Sequence, residues 1–310
     1  MSLYAKHRFT IVNTSQVKLF RSRIAPTPSG YLHRGNLFNF LLIALITRSN
    51  GGELRLRIDD MDAQRARPQY LHDIFDTLNW LQISWQQGPK NVAEHMQFFT
   101  QSNRMQLYVS FLLQLIEQAE VYACTCSRKE LSEEGHVIYP GTCRLKQIPL
   151  NTPQAAWRIH VPKDTIIRWL DESLGEVEMN LSQLMGDFII RRKDGLPAYQ
   201  VVSLVDDLLY ETTFIVRGVD LLQSTAAQLW LSQVAQNPDF IRTNFYHHQL
   251  LMHANGEKLS KSASYHSTSL HAREVSLQAI ISSFSNWMGH TTKAQSIDEL
   301  LAEQPLLFKI

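Results

Sequence analysis

The spacing of apolar residues changes twice within the first eighty positions. Lys18–Ile24 reads as a strand that stops at Pro26. Asn36–Ser49 carries a thick apolar face at helical spacing, and Asn50-Gly51-Gly52 supplies the stop. In "ELRLRIDD" the residues Leu54, Leu56 and Ile58 alternate with polar neighbours, which predicts a strand. Strand, helix and strand in about forty residues form one βαβ unit and imply a parallel sheet. Pro68 is placed to open the next helix, whose apolar set is Leu71, Ile74, Phe75, Leu78 and Leu81. Another amphipathic helix is predicted from Ser102 to Ala119.

The rhythm then breaks. "GHVIYPGTCRLKQIPLNTP" is rich in turn formers and suits a small insertion. From Trp157 the signal is mostly β. "DFIIRRKDGLPAYQVVSLVDD" predicts two strands joined at Asp194-Gly195, and "TTFIVRG" predicts another. "STAAQLWLSQVAQ" reads as a helix capped by Ser224 or Thr225. An Asn-Gly turn precedes a short basic stretch, and Ser269–Met288 looks helical. The expected class is α/β. A first half of the nucleotide-type domain is expected at 1–115, an insertion at 116–185 and the second half at 186–255. A lysine loop and short helical C-terminus would fill 256–310.

Composition narrows the picture. The chain of 310 residues suits one large domain with an insertion, or two ordinary ones. A net charge of +1 gives no overall basic character, so RNA would need a local basic face. No apolar run reaches the ~18 residues of a membrane span, and the N-terminus lacks a secretory pattern. The three cysteines, Cys124, Cys126 and Cys143, are odd in number, which suits a reducing cytoplasm. Their clustering reads as a metal site. A closed zinc site needs a fourth ligand, and by chemistry alone His136 is the natural choice.

Two stretches carry candidate phosphate chemistry. "RIAPTPSGYLHRGN", Arg23–Asn36, turns a strand abruptly into a helix. A helix start offers unpaired N–H groups and partial positive charge to a phosphate. Gly30 and Gly35 allow close backbone approach, and His33 could donate to a phosphate oxygen. Far downstream, "GEKLSKS" places Lys258 and Lys261 as point charges for a polyphosphate.

Together these stretches resemble the two signatures of class I aminoacyl-tRNA synthetases in their glutamyl form. "LRIDDMD", "LPAYQVVSLVDD" and "FIVRGVDLLQSTAAQLWL" are similar to the intervening blocks, in the same order. Only about fifty residues follow the lysine loop, so no anticodon-binding domain is expected. That truncation and the cysteine cluster resemble the glutamyl-Q tRNA(Asp) synthetases. The resemblance implies a Rossmann-like catalytic domain and activation of L-glutamate by ATP with Mg²⁺. It also implies transfer to queuosine of tRNA(Asp) by a cytoplasmic enzyme, here expected to be a monomer. Arg23, Ala25, Thr27, Asp59, Tyr199 and Arg217 match the family's glutamate positions. His33, Gly35, Asn36, Lys258 and Lys261 match the ATP side, with His33 and Lys261 in the catalytic roles. For the structural zinc ion the family pattern points to Tyr139 with the three cysteines, against His136. Asp59 stands where the family usually has glutamate, and Asn36 where class I enzymes often have a second histidine. The competing expectations are a shortened synthetase charging a tRNA 3′ end, an activator for a non-tRNA acceptor, and a non-catalytic RNA-binding paralog.

Overall fold

A computed structural model describes residues 19–62, 67–133, 135–251, 275–304 and 307–310. The opening βαβ unit forms as its periodicity predicts. Strand β1 (Arg21–Ile24) and strand β2 (Glu53–Leu56) run parallel, with Arg21 opposite Glu53 and Ile24 opposite Leu56. Helix α1 (Arg34–Ser49) links them and buries Leu37, Phe38 and every side chain from Phe40 to Thr47. Helix α2 (Pro68–Trp80) starts at its proline and packs Leu71, Ile74, Phe75 and Leu78 into the same core.

Helix α3 (Met105–Gln118) leads into strand β3 (Val121–Cys124). The strands that follow are β4 (Ala156–Ile159), β5 (Ile166–Asp171), β6 (Gly175–Asn180) and β7 (Phe188–Arg191). β3, β4 and β7 form an antiparallel sheet in that order. Next come helix α4 (Tyr199–Leu209), strand β8 (Phe214–Gly218), helix α5 (Leu222–Val234) and strand β9 (Asn244–His248). β8 and β9 are parallel, β9 touches β5, and β6 closes that sheet. β1 lies beside the start of β8, where Thr213 N donates to Arg21 O at 2.9 Å. The parallel strands β1, β2, β8 and β9 thus present their C-terminal ends together, the usual place for a ligand in an open α/β sheet. Helices α6 (Leu277–Trp287) and α7 (Ile297–Glu303) end the described chain against the α1 core.

Three expectations differ from the structure. "AYQVVSLVDD" belongs to α4, so Asp194-Gly195 does not join two strands of a hairpin. Val201, Val202, Leu204 and Val205 repeat at helical spacing and are buried on one face. α5 begins at Leu222 without a side-chain cap, so neither Ser224 nor Thr225 caps it. The second strand is shorter than "ELRLRIDD" and ends at Leu56. Lys258 and Lys261 lie outside the described residues. Among the described residues no helix is long and apolar enough to cross a membrane.

Candidate active site

His33 is the N-cap of α1. Its Nδ1 accepts from Gly35 N at 3.1 Å, and Asn36 Oδ1 accepts from His33 N at 3.1 Å. This reciprocal cap satisfies two helix-start donors. Because Nδ1 accepts, a neutral ring carries its proton on Nε2, which is then the ring's donor. A Cβ on Gly35 would sit 2.9 Å from His33 Cε1, so glycine is what allows the ring to fold over the helix start. Leu32 N donates to Asp73 Oδ2 at 2.9 Å and ties this loop to α2.

Beside it lies a buried charge network that the sequence reading did not assign, apart from Arg23 and Asp59. Arg57 Nε and Nη2 donate to the two oxygens of Asp59 at 2.7 and 3.1 Å, while its Nη1 donates to Asp207 at 2.9 Å. Arg23 Nε donates to the same Asp207 oxygen at 2.9 Å. Asp206 accepts from Arg104 Nε and Nη2 at 2.8 and 2.9 Å, from Tyr108 at 2.7 Å and from Gln101 at 3.0 Å. Burial pushes the Asp207 carboxyl up, but Arg23 and then Arg57 outweigh it and hold it below the usual carboxylate range. Burial raises Asp59, and Arg57 only partly opposes the shift. The available signal was "VVSLVDDLL", two adjacent aspartates in an apolar helical run. Such carboxylates are almost never buried without partners.

Arg217 behaves differently. It is buried on β8, donating to Gln228 Oε1 at 2.9 Å and Thr225 Oγ1 at 2.6 Å, both neutral. Among the described residues it forms no ion pair, and its Nε has no hydrogen-bond acceptor. Burial pulls its pKa down to about 10, with the Tyr199 phenol opposing the shift. A buried guanidinium without an anion is costly unless an anion arrives. Arg23, Arg57 and Arg104 are each offset by an aspartate; Arg217 is the surplus positive charge. Tyr199 opens α4 beside it and is 41% exposed. Ala25, half-buried, and Thr27, exposed, follow β1 on the loop between Arg23 and His33.

The cysteine cluster is compact. The Sγ atoms of Cys124, Cys126 and Cys143 all lie within 4.8 Å of one another. The Tyr139 hydroxyl is 3.3 Å from Cys124 Sγ and 3.8 Å from Cys126 Sγ. Tetrahedral zinc with Zn–S near ~2.3 Å separates its sulfurs by roughly 3.8 Å, so this donor set fits the ion. Burial pushes the Cys143 thiol up, but hydrogen bonds led by Tyr139 bring it down to about 6, toward the thiolate a metal requires. His136 is exposed and is not among the grouped ligand atoms. Asp187 holds this loop to the sheet, accepting from Tyr122, Arg144, His160 and the Val161 amide.

Comparison with known proteins shows the family. The family described as tRNA synthetases class I (E and Q), catalytic domain, matches residues 19–306. The chain is 40% identical over 240 residues to the glutamyl-Q tRNA(Asp) synthetase of Pseudomonas fluorescens, covering 77% of this chain and 75% of that protein. It is 36% identical over 259 residues to the protein of that name from Nitratidesulfovibrio vulgaris, covering 78% of each. The crystal structure of glutamate-tRNA synthetase from Elizabethkingia anophelis shares the fold, with a TM-score of 0.76 at 24% identity. That match covers 94% of this chain and 66% of the solved one. The signatures met along the sequence thus fall within one matched catalytic domain, and the chain belongs to the class I aminoacyl-tRNA synthetases of the glutamate and glutamine type, a family of ligases.

Proposed function

We propose that the chain joins glutamate to ATP as glutamyl-adenylate and transfers the glutamyl group to queuosine of tRNA(Asp). The observation that carries the amino-acid side is Arg217, a buried cation with neutral hydrogen-bond partners and no ion pair among the described residues; the nearby Asp207 is bonded to Arg23 and Arg57. A dicarboxylic substrate brings one carboxylate to be read and another to react. Arg217 suits the first task, since a guanidinium fork matches carboxylate geometry. Asp59, three residues beyond β2, would meet the substrate ammonium. Being a methylene shorter than the family's usual glutamate, it reaches less far, and Arg57 holds both its oxygens.

The α-carboxylate oxygen attacks the ATP α-phosphorus, and the bond to pyrophosphate breaks. The chain's contribution is placement and stabilisation of phosphate charge. The start of α1 supplies oriented N–H groups, and His33 supplies its Nε2 proton. Lys258 and Lys261 are assigned to the phosphates on sequence alone, and Mg²⁺ accompanies ATP as part of the substrate. A queuosine hydroxyl then attacks the acyl carbon and AMP leaves. Cys124, Cys126, Cys143 and Tyr139 would hold zinc, which would cross-link the insertion and take no part in either step.

The names of the relatives at 40% and 36% identity support queuosine as the acceptor. The test is incubation with labelled glutamate, ATP and total tRNA, followed by nuclease mapping. Label on the queuosine nucleotide is expected. Label on the terminal adenosine would replace this reading with 3′-end charging. Absence of glutamate-dependent ATP–pyrophosphate exchange would refute the activation step.

A further inference from the structure

The polar chain behind Arg217 takes no part in either chemical step. Arg217 and His247 are partners in the parallel register of β8 and β9. Thr225, one turn into α5, stands between their side chains: its Oγ1 is 2.6 Å from Arg217 Nη2 and 2.7 Å from His247 Nε2. On the far side His247 Nδ1 is 2.5 Å from Asp171 Oδ2, at the end of β5. The other Asp171 oxygen accepts from the backbone amides of His247, Ser173 and Leu174. Asp171, Thr225 and His247 are all buried.

Counting protons along this chain fixes its direction. Asp171 is an acceptor, so His247 carries its proton on Nδ1. A neutral ring then needs a donor at Nε2; the Thr225 hydroxyl also lies 3.1 Å from Leu221 O, but at 2.7 Å Nε2 is its closer acceptor and takes the proton. The oxygen that has given its proton to histidine turns its lone pairs to Arg217, which can only donate. Burial favours the neutral ring, and so does the neighbouring Arg217 charge. Gln228 takes the other terminal nitrogen at 2.9 Å. The guanidinium plane is held at both ends, while its Nε remains without an acceptor among the described residues.

We propose that Asp171, His247 and Thr225 form a positioning relay that sets the Arg217 guanidinium for the substrate carboxylate. The proposal rests on the reading of Arg217 as the carboxylate site. None of the three residues touches the substrate; each acts through the next, and Asp171 anchors the series in backbone amides. The relay makes the amino-acid site a property of the sheet register and not of a loop.

Glutamate-dependent ATP–pyrophosphate exchange by the full chain tests this. Thr225→Val keeps the shape and removes the hydroxyl. The loss of a hydrogen bond to a charged group corresponds to about a ten- to hundredfold effect. The Michaelis constant for glutamate should rise by that factor, with kcat and the Michaelis constant for ATP within about twofold of wild type. Thr225→Ser should bring the glutamate constant back to within about threefold. His247→Asn, which preserves a donor toward Asp171 and loses the ring nitrogen facing Thr225, should behave like Thr225→Val. An unchanged glutamate constant in Thr225→Val overturns the relay while leaving the activity intact. Equal losses in kcat and in both Michaelis constants also overturn it, because they mark general damage. A wild-type chain that gives no glutamate-dependent exchange overturns the functional reading, and the relay with it.

Discussion

Replacing Asp206 with alanine strikes the most heavily bonded carboxylate of the charge network. Asp206 is fully buried and accepts four hydrogen bonds, two of them from the fork of Arg104. Counted singly, at about 1–3 kcal/mol each, these bonds would sum to far more than such a variant loses. Relaxation and water entry intervene, and removing one partner of a buried pair costs about 3–5 kcal/mol. The entropy of unfolding is roughly 2.1 cal/mol/K per residue, so over a chain of this length the midpoint should fall by about 5–8 °C. Calorimetry at several scan rates, with urea titration as a second probe, measures it. A double variant, Asp206→Leu with Arg104→Met, removes both charges and should recover most of the loss. A midpoint shift below about 2 °C for Asp206→Ala, or no recovery in the double variant, would refute the claim that the cost is an orphaned guanidinium.

Arg217→Lys keeps the charge but loses the planar fork, so the Michaelis constant for glutamate should rise at least about tenfold in pyrophosphate exchange. Zinc content by elemental analysis should be one ion per chain; Tyr139→Phe should weaken retention of the ion against a chelator, whereas His136→Ala should not. Burial and Arg217 hold the His247 ring below its ordinary value near 6.5, so its contribution to stability is full above about pH 6.5 and is lost as pH falls further. The urea midpoint should therefore drop between pH 7 and 5, and His247→Asn should flatten part of that slope. Asp171 and Asp207, both held below the usual carboxylate range, should add a second loss below about pH 4.

The first βαβ unit was legible because the apolar run Phe40–Ile46 is closed by Asn50-Gly51-Gly52, after which Leu54 and Leu56 alternate with polar neighbours. α4 was not, since valines at 201, 202 and 205 carry β propensity while their spacing is helical. Packing on α3 and α5 decides such a case, and local sequence does not encode that packing. Arg217 could be singled out only through resemblance. What makes it distinctive is a buried place with neutral hydrogen-bond partners, Gln228 and Thr225, while the nearby Asp207 carboxylate is bonded to Arg23 and Arg57 instead. Arg57, Arg104 and Asp206 meet across long sequence separations, from position 57 to 206. No motif records such contacts. Ser224 and Thr225 suggest a cap because hydroxyl residues favour helix starts; inside α5 the Thr225 hydroxyl meets Arg217, His247 and the Leu221 carbonyl.

Asp187 has a consequence for how the cysteine loop can be watched. One carboxylate receives Arg144, the neighbour of Cys143, and also the backbone amide of Val161, just beyond β4. An amide bonded to a buried carboxylate exchanges its hydrogen with solvent only when that bond opens. Seating of the loop through Arg144 helps keep the carboxylate in place, so release of the loop should be heard at Val161. Deuterium uptake at that single amide would then serve as a local clock for departure of the loop, ticking well before the surrounding strands let go.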